Sequence, residues 1–203
     1  MRRLFRHIVC VALLAFPTLL HAQERVGLGI EWGLGFHPLH YQAESFRSDA
    51  GFRLDHSGWE GSRHVNGFAG IAIEWDMTRR QTLSLTLSGR GVGNGNRIIP
   101  FGLRYARFRN GHSADTGWWF AEAGLGYNLD AQVHTAFQGL VGRGWRYRLG
   151  AHSVIDGGLR IAAVGFRTDI IDPDTDLPVP DRDVYDNGRF DLFLEFFIAI
   201  RLK

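Results

Sequence analysis

Residues 26–36 read Val-Gly-Leu-Gly-Ile-Glu-Trp-Gly-Leu-Gly-Phe, and this stretch decides the fold. Every even position carries a large apolar side chain, whereas every odd position carries glycine or a charge. Alternation with a period of two is typical of a β-strand with one apolar face and one small, polar face. Strands of soluble sandwiches usually have about 5–6 residues, whereas a strand tilted across a bilayer needs about 9–11. The stretch therefore predicts a strand of membrane-spanning length.

The same alternation recurs along the rest of the chain, most weakly in the sixth segment. Apolar side chains lie on one face of each segment, with glycine, small and charged side chains on the other. The further segments are 65–75, 82–90, 99–106, 119–128, 136–149, 155–163 and 188–202. With the first stretch they make eight predicted strands.

The connections between these segments differ in length. Long connections are predicted at 37–64 and 167–187, and short ones at 76–81 and 150–153, although 107–117 is longer than a tight turn. Long loops on one side and short turns on the other are typical of an up-and-down transmembrane barrel with periplasmic termini. Aromatic residues also fall at both ends of the predicted strands, as two interfacial girdles require: Trp75, Tyr105, Trp119, Trp145 and Tyr147 at the turn side, and Phe36, Phe101, Tyr127, Phe137, Phe166 and Phe190 at the loop side.

The N-terminal segment 1–22 has the pattern of a secretory signal peptide. Arg2, Arg3 and Arg6 precede an apolar run, and Ala22 supplies a small residue at a plausible cleavage point. We therefore predict a signal peptide over 1–22 and one barrel domain over 23–203.

The composition excludes several classes of protein. Cys10 is the only cysteine, so the predicted mature chain cannot contain a disulfide scaffold, a cysteine zinc site or a cysteine nucleophile. Without the segment 1–22 the chain keeps 20 basic against 21 acidic residues, and this near neutrality indicates no nucleic-acid partner. No 18 consecutive residues are apolar, which excludes a helical membrane protein.

With its signal peptide, eight alternating segments and closing sequence Phe-Phe-Ile-Ala-Ile-Arg-Leu at 196–202, the chain resembles the eight-stranded outer-membrane barrels, the family of the OmpA-type membrane domain and OmpX-like proteins. The resemblance covers essentially all of 23–203. It implies an all-β, closed, eight-stranded antiparallel up-and-down transmembrane barrel in the bacterial outer membrane. It further implies outer-membrane lipid, including lipopolysaccharide, and the barrel assembly machinery as partners, and leaves any extracellular partner unknown.

Charged residues recur on the glycine-rich face, which a membrane barrel turns inward. Eight strands enclose only enough room for side chains, and a buried unpaired charge is costly. We therefore predict a paired network that closes the barrel; a proton or ion path is the alternative. Its predicted members are Glu31, Glu74, Arg90, Arg104, Glu122, Arg146, Asp156, Arg160, Arg189, Asp191 and Glu195.

The two predicted long loops contain candidate cation ligands. His37 and His40 have a spacing that metal sites use, and Asp172, Asp174 and Asp176 resemble the start of a calcium loop, although Leu177 stands where such a loop needs glycine. The competing interpretation is that the acids keep the loop hydrated or bridge lipopolysaccharide phosphates through divalent ions. No resident metal or cofactor is predicted.

Serine and histidine are adjacent at His56-Ser57, His112-Ser113 and His152-Ser153. Neighbours on a strand point to opposite faces, so such a pair could form a catalytic surface only in a turn. We predict that the protein is not an enzyme and has a structural or surface-interaction role through its loops. A lipid-modifying outer-membrane hydrolase, of the lipid A deacylase or acyltransferase kind, is one alternative. A soluble periplasmic barrel that binds an apolar ligand is another.

Overall fold

The computed structural model describes residues 26–130 and 135–202. The predicted signal peptide 1–22 lies outside the described residues. The chain forms eight antiparallel strands in a closed barrel, in which each strand pairs with its neighbours in sequence and the first strand pairs with the last. The strands are β1 Val26–Arg47, β2 Arg53–Thr78, β3 Gln81–Gly91, β4 Arg97–Phe108, β5 Thr116–Asn128, β6 Thr135–Arg148, β7 Ser153–Phe166 and β8 Val184–Leu202. The predicted fold class is confirmed.

The barrel has an apolar exterior and a polar interior. Leu28 on β1, Val65 on β2 and Leu125 on β5 are 61, 63 and 73% exposed, whereas Glu31 on β1 and Glu195 on β8 are buried. A water-soluble protein that bound an apolar ligand would need the opposite arrangement, with apolar side chains inside. The alternation in the sequence therefore assigned the two faces correctly.

The predicted loop at 37–64 was wrong: these residues mostly continue β1 and β2, and only 48–52 connects them. The pairing of the two strands shifts between His37 and Leu39, on either side of Pro38. Because proline has no N–H to donate, it occurs at irregularities of this kind. The shift reverses the faces, so that even positions point outward up to Phe36 whereas His40 is buried and Leu39 is exposed. A one-residue slip of this kind interrupts the alternation on which the prediction depended.

The extension of β1 and β2 forms a three-stranded platform with the start of β8. The platform comprises 39–47, 53–61 and 184–192, with β1 in the middle. β3 pairs with β2 only from Phe68 onward, so among the described residues the β2 edge over 53–67 has no strand beside it. The platform therefore stands above the closed part of the barrel.

The remaining connections define two ends of the molecule. The turn end contains 79–80, 109–115 and 149–152, and the loop end contains 48–52, 92–96, 129–130 and 167–183. Two short 3₁₀ helices, Gly93–Gly95 and Asp181–Asp183, lie at the loop end. In the described part of the chain, no helix is long and apolar enough to span a membrane.

Candidate functional site: the barrel interior

Glu31 lies at the centre of a network of buried ion pairs. Its carboxylate accepts two hydrogen bonds from Arg104 of β4, at 2.7 and 3.1 Å, and one from Arg160 of β7 at 2.5 Å. All three side chains are buried. The odd positions of β1 face inward up to the irregularity at Pro38, which is why Glu31 reaches strands on the other side of the barrel.

Each arginine that contacts Glu31 also holds a second carboxylate. Arg104 donates to Glu122 of β5 at 2.7 Å, and Glu122 also accepts from Gln138 and the hydroxyl of Thr86. On the other side, Arg160 donates to Glu195 of β8, which also accepts from Arg90 at 3.1 Å. The central network thus joins strands all around the barrel.

A second group lies toward the turn end. Arg146 donates to both oxygens of Asp156, at 2.7 and 2.8 Å, and Arg201 donates to the same carboxylate at 2.7 Å. Glu74 lies 3.6 Å from Arg146 and 3.4 Å from Arg201. Arg201 was missed as a site residue, although the alternation in β8 places it on the inward face with Glu195.

A third group closes the loop end. Asp191 accepts from Arg189 at 2.8 Å and from the backbone N–H of Gly93 at 2.8 Å, and its Oδ1 lies 3.4 Å from the imidazole of His37. A Cβ on Gly93 would lie 2.1 Å from an Arg189 guanidinium nitrogen, so a larger residue there would require the Arg189 side chain to shift. The connection 92–96 therefore contacts the charged interior directly. Apart from the two glycines at 93 and 95, nothing in the pattern of residues indicates this contact.

Aromatic rings separate these charged groups and pack against the arginines. Arg160 lies over Phe68 at 4.0 Å, Arg146 over Phe108 at 4.4 Å and Arg104 over Phe120 at 4.8 Å from the ring centres. Cation–π contacts of this kind strengthen when they are removed from water. Together with Arg201, the buried set contains six arginines and six carboxylates: Arg90, Arg104, Arg146, Arg160, Arg189 and Arg201, with Glu31, Glu74, Glu122, Asp156, Asp191 and Glu195.

Little space remains inside the central network. A cavity of about 10 Å³ is lined by Glu31, Arg90, Arg104, Glu122 and Arg160, among others. A volume of this size corresponds to about one water molecule. The interior at this level can hold fixed ion pairs and an ordered water, but it has no room for an organic ligand.

Among the candidate cation ligands, His37 and His40 lie near each other, with ring centroids 5.6 Å apart, whereas Asp172 and Asp174 contact the connection 48–52. His37 contacts Asp191 in the interior, and His40 lies 3.2 Å from Glu60 on the platform. Asp172 accepts backbone N–H bonds from Asp174 and from Asp49. These two bonds hold the pKa of the Asp172 carboxyl below its ordinary value. Over 26–130 and 135–202, no three His, Cys, Asp or Glu side chains are placed to hold a metal ion.

The loop 167–183 is tied to the platform by these acids and by an apolar cluster. Asp174 accepts from the hydroxyl of Ser48 at 3.2 Å, and Phe46 packs with Ile170 and Val179. The carboxylates of Asp172 and Asp174 thus fasten the loop to the connection 48–52.

One of the three His-Ser pairs, His112-Ser113, lies wholly within a turn, whereas His152 ends the turn 149–152 and Ser153 begins β7. Within 109–115, Ser113 Oγ lies 3.0 Å from His112 Nδ1, and His112 Nε2 lies 3.4 Å from Asp76. The backbone N–H groups of His112 and Ala114 donate to the carbonyls of Arg79 and Gly111. A serine, an imidazole and a carboxylate are therefore adjacent. However, the backbone N–H groups on either side of Ser113 already donate to carbonyls, so neither is free to stabilise an oxyanion.

The closed eight-stranded ring, with charges inside and an apolar surface outside, is the fold of the bacterial outer-membrane barrels. The structure of the outer membrane protein OprG from Pseudomonas aeruginosa is similar, with a TM-score of 0.50 and 10% identity, over 88% of this chain and 95% of that chain. Neisserial surface protein A gives a TM-score of 0.48 with 12% identity, over 88 and 96% of the two chains. At these identities the likeness concerns the fold alone. No protein-family profile and no curated protein sequence matches the chain.

Proposed function

We propose that this protein is an outer-membrane barrel with a closed lumen that acts through its surface at the loop end. The observation that carries the proposal is the network centred on Glu31, which spans the interior and leaves a cavity of only about 10 Å³ at its level. An unpaired charge in such an interior would be costly, whereas each interior arginine here contacts at least one carboxylate. The network supports a structural plug rather than a channel.

The exposed apolar belt supports the proposed location. Side chains such as Leu28, Leu125 and Leu194 would be unfavourable in water but favourable against lipid tails. We place the short turns and both termini in the periplasm, because the longer connections of such barrels face the outside. Assembly by the barrel assembly machinery follows from this location.

The platform is the part best suited to contact another molecule. Tyr41, Trp59 and Phe190 lie side by side on it, with ring centres 5.4 and 6.3 Å apart, and Trp59 is 58% exposed. Aromatic side chains offer large contact areas at a small entropic cost. The acidic loop 167–183 beside it can bridge lipopolysaccharide phosphates through divalent ions.

Two measurements on the purified protein test the proposal. Closed membrane barrels resist SDS until heated, so we expect a boiling-dependent shift in gel mobility. In planar bilayers we expect no stable conductance from the wild type, but channel openings when Glu31 is replaced by Ala. A mobility independent of boiling would refute the barrel, and steady wild-type conductance would refute the plug.

The contact between Ser113, His112 and Asp76 favours a second candidate, a lipid-modifying hydrolase. A serine activated by an imidazole is the nucleophile of many acyl-transfer enzymes. Mass spectra of the envelope lipids from cells with wild-type protein, with Ser113→Ala and without the protein distinguish the candidates. We expect three identical spectra, and an acyl pattern that depends on Ser113 would replace the non-enzymatic proposal.

A further inference from the structure

Two arginines flank a tryptophan on the outer face of the barrel near its turn end. Arg107 of β4 lies directly opposite Trp119 of β5, and Trp119 lies directly opposite Arg143 of β6. All three side chains are exposed and share the outward face of their strands with Leu103, Leu125 and Val141. Neighbouring strands are about 4.8 Å apart, so roughly 10 Å separates the two arginine backbones, with the indole between them.

A hollow opens beside this row, on the side of the turns. Gly117 of β5 lies opposite Trp145 of β6. On its other side lies Arg109, whose backbone N–H donates a hydrogen bond to the Gly117 carbonyl. Gly117 has no side chain, and the ring of Trp145 packs over it, 3.3 Å from where a Cβ would lie. The hollow has a volume of about 450 Å³, and its lining includes Arg80, Arg107, Arg109, Arg143, Trp119 and Trp145.

The charge of this hollow is not neutralised by the protein. Each of the interior arginines contacts a carboxylate, whereas Arg80, Arg107, Arg109 and Arg143 have no carboxylate at ion-pairing distance in the described part of the chain. Four guanidinium groups around one recess favour an anion, and the planar guanidinium binds phosphate oxygens in a two-pronged manner.

The height of the hollow on the barrel indicates where that anion comes from. The apolar belt of β4 ends at Tyr105, whose ring contacts Trp119 edge-on at 5.7 Å, and Arg107 is the next outward residue. Tryptophan and tyrosine prefer the headgroup level of a bilayer. The guanidinium groups therefore lie where lipid phosphates would lie, and the apolar wall beside them lies where the acyl chains would run.

We infer that this hollow binds the phosphate of an anionic phospholipid headgroup from the leaflet at the turn end. The inference rests on the proposed function, because it requires the apolar belt to be embedded in a bilayer. Arg107 and Arg143 hold the phosphate from the two sides of Trp119, Arg80 and Arg109 add positive charge from the turns, and the hollow beside Trp145 accommodates the headgroup.

A titration in non-ionic detergent tests the inference. Dihexanoylphosphatidylglycerol, dihexanoylphosphatidylcholine and inorganic phosphate are added separately to the folded protein, and the indole N–H signals of Trp119 and Trp145 are followed by NMR. A Trp119→Phe variant assigns the first signal. We expect saturable shifts with phosphatidylglycerol, weaker binding of phosphatidylcholine and no saturation with inorganic phosphate.

Variants separate the hollow from general charge effects. Arg107→Gln with Arg143→Gln should weaken phosphatidylglycerol binding by about 25-fold, since each of the two basic groups contributes roughly a fivefold effect near an anionic lipid. Arg107→Lys with Arg143→Lys should retain part of the affinity. Arg63→Gln with Arg182→Gln removes the same charge from exposed positions at the loop end and should leave binding unchanged.

Three outcomes overturn the inference. Equal binding by the two glutamine double variants would show that the hollow is not the site. Saturation by inorganic phosphate at the same concentration would show a small-anion site instead of a lipid site, and the absence of any saturable shift would show no site. The gel shift on boiling is measured on the same samples, so a folded barrel that binds no lipid refutes this inference alone.

Discussion

Replacement of Glu31 by Gln tests the interior network most directly. The change keeps the size of the side chain but removes the negative charge between Arg104 and Arg160, which contact it at 2.7 and 2.5 Å. Each arginine keeps one other carboxylate, Glu122 or Glu195, yet the buried group gains one uncompensated positive charge. Breaking a buried ion pair by removing one partner costs about 3–5 kcal/mol. We expect the free energy of unfolding to fall by this amount.

The assay is urea-induced unfolding of the protein in lipid vesicles, followed by tryptophan fluorescence, with the midpoint and the slope of the transition both fitted. Asp130→Asn is the matched control. Asp130 accepts two hydrogen bonds from the Arg97 guanidinium, of 2.7 and 3.1 Å, and one of 2.7 Å from the Arg97 backbone N–H, but this pair lies at the surface of the loop end. Exposed ion pairs contribute little to the free energy of unfolding, so the control variant should unfold at the same urea concentration as the wild type.

A loss below about 1 kcal/mol in Glu31→Gln, comparable to an exposed pair, would refute the reasoning. It would mean that water reaches the carboxylate and screens it, so that the interior is hydrated. The proposed plug would then lose its support, and the alternative of an ion path would gain it.

Three further predictions concern steric fit and pH. Gly93→Ala should force the Arg189 guanidinium away from the connection 92–96, because the new Cβ would lie 2.1 Å from it, and faster cleavage of this connection by an added protease checks whether the contact loosens. Gly142→Ala should destabilise the barrel by about 1–3 kcal/mol, because its Cβ would lie 2.5 Å from Phe120. In the control variant Gly139→Ala, on the same strand, the new Cβ meets nothing within 4 Å, so its free energy of unfolding should equal that of the wild type. Because the pKa of Asp172 is lowered, its carboxylate stabilises the docked loop 167–183 at pH values above the ordinary aspartate range, and this stabilisation is lost as the pH falls through the lowered pKa. Limited proteolysis should therefore cut the wild-type loop only in acid, whereas it should cut the loop of Asp172→Asn at neutral pH as well. A wild-type loop that resists cleavage in acid would contradict this prediction.

The sequence was sufficient for the faces of the barrel because alternation is a local property. Ile30 and Glu31 are neighbours that a strand must point in opposite directions, and the exterior or interior follows from which face is apolar. The same rule was insufficient beyond Phe36, since the irregularity at Pro38 reverses the phase and makes the continuing strand look like a polar loop.

The contacts inside the barrel could not be read from the sequence. Inward direction is set by parity, but the pairing of Glu31 with Arg104 depends on the stagger of strands that are far apart in the chain. The sequence pattern predicts a loop at His37, whereas its contact with Asp191 requires both the extension of β1 and the curvature of the closed ring. Long-range geometry of this kind leaves no periodic signal.

The pairing of β1 with β8 has a consequence for the order in which the molecule can form. Leu28 is paired with Leu202, and Phe36 with Leu194. The backbone hydrogen bonds on the second edge of β1 can therefore form only after β8, the last strand, has been made. Contacts of such high sequence separation form slowly. Until the barrel closes, the growing sheet has two edge strands whose unpaired backbone N–H and C=O groups can pair with other chains. A chain that is truncated before β8 would keep both edge strands unpaired, and we expect it to aggregate or be degraded.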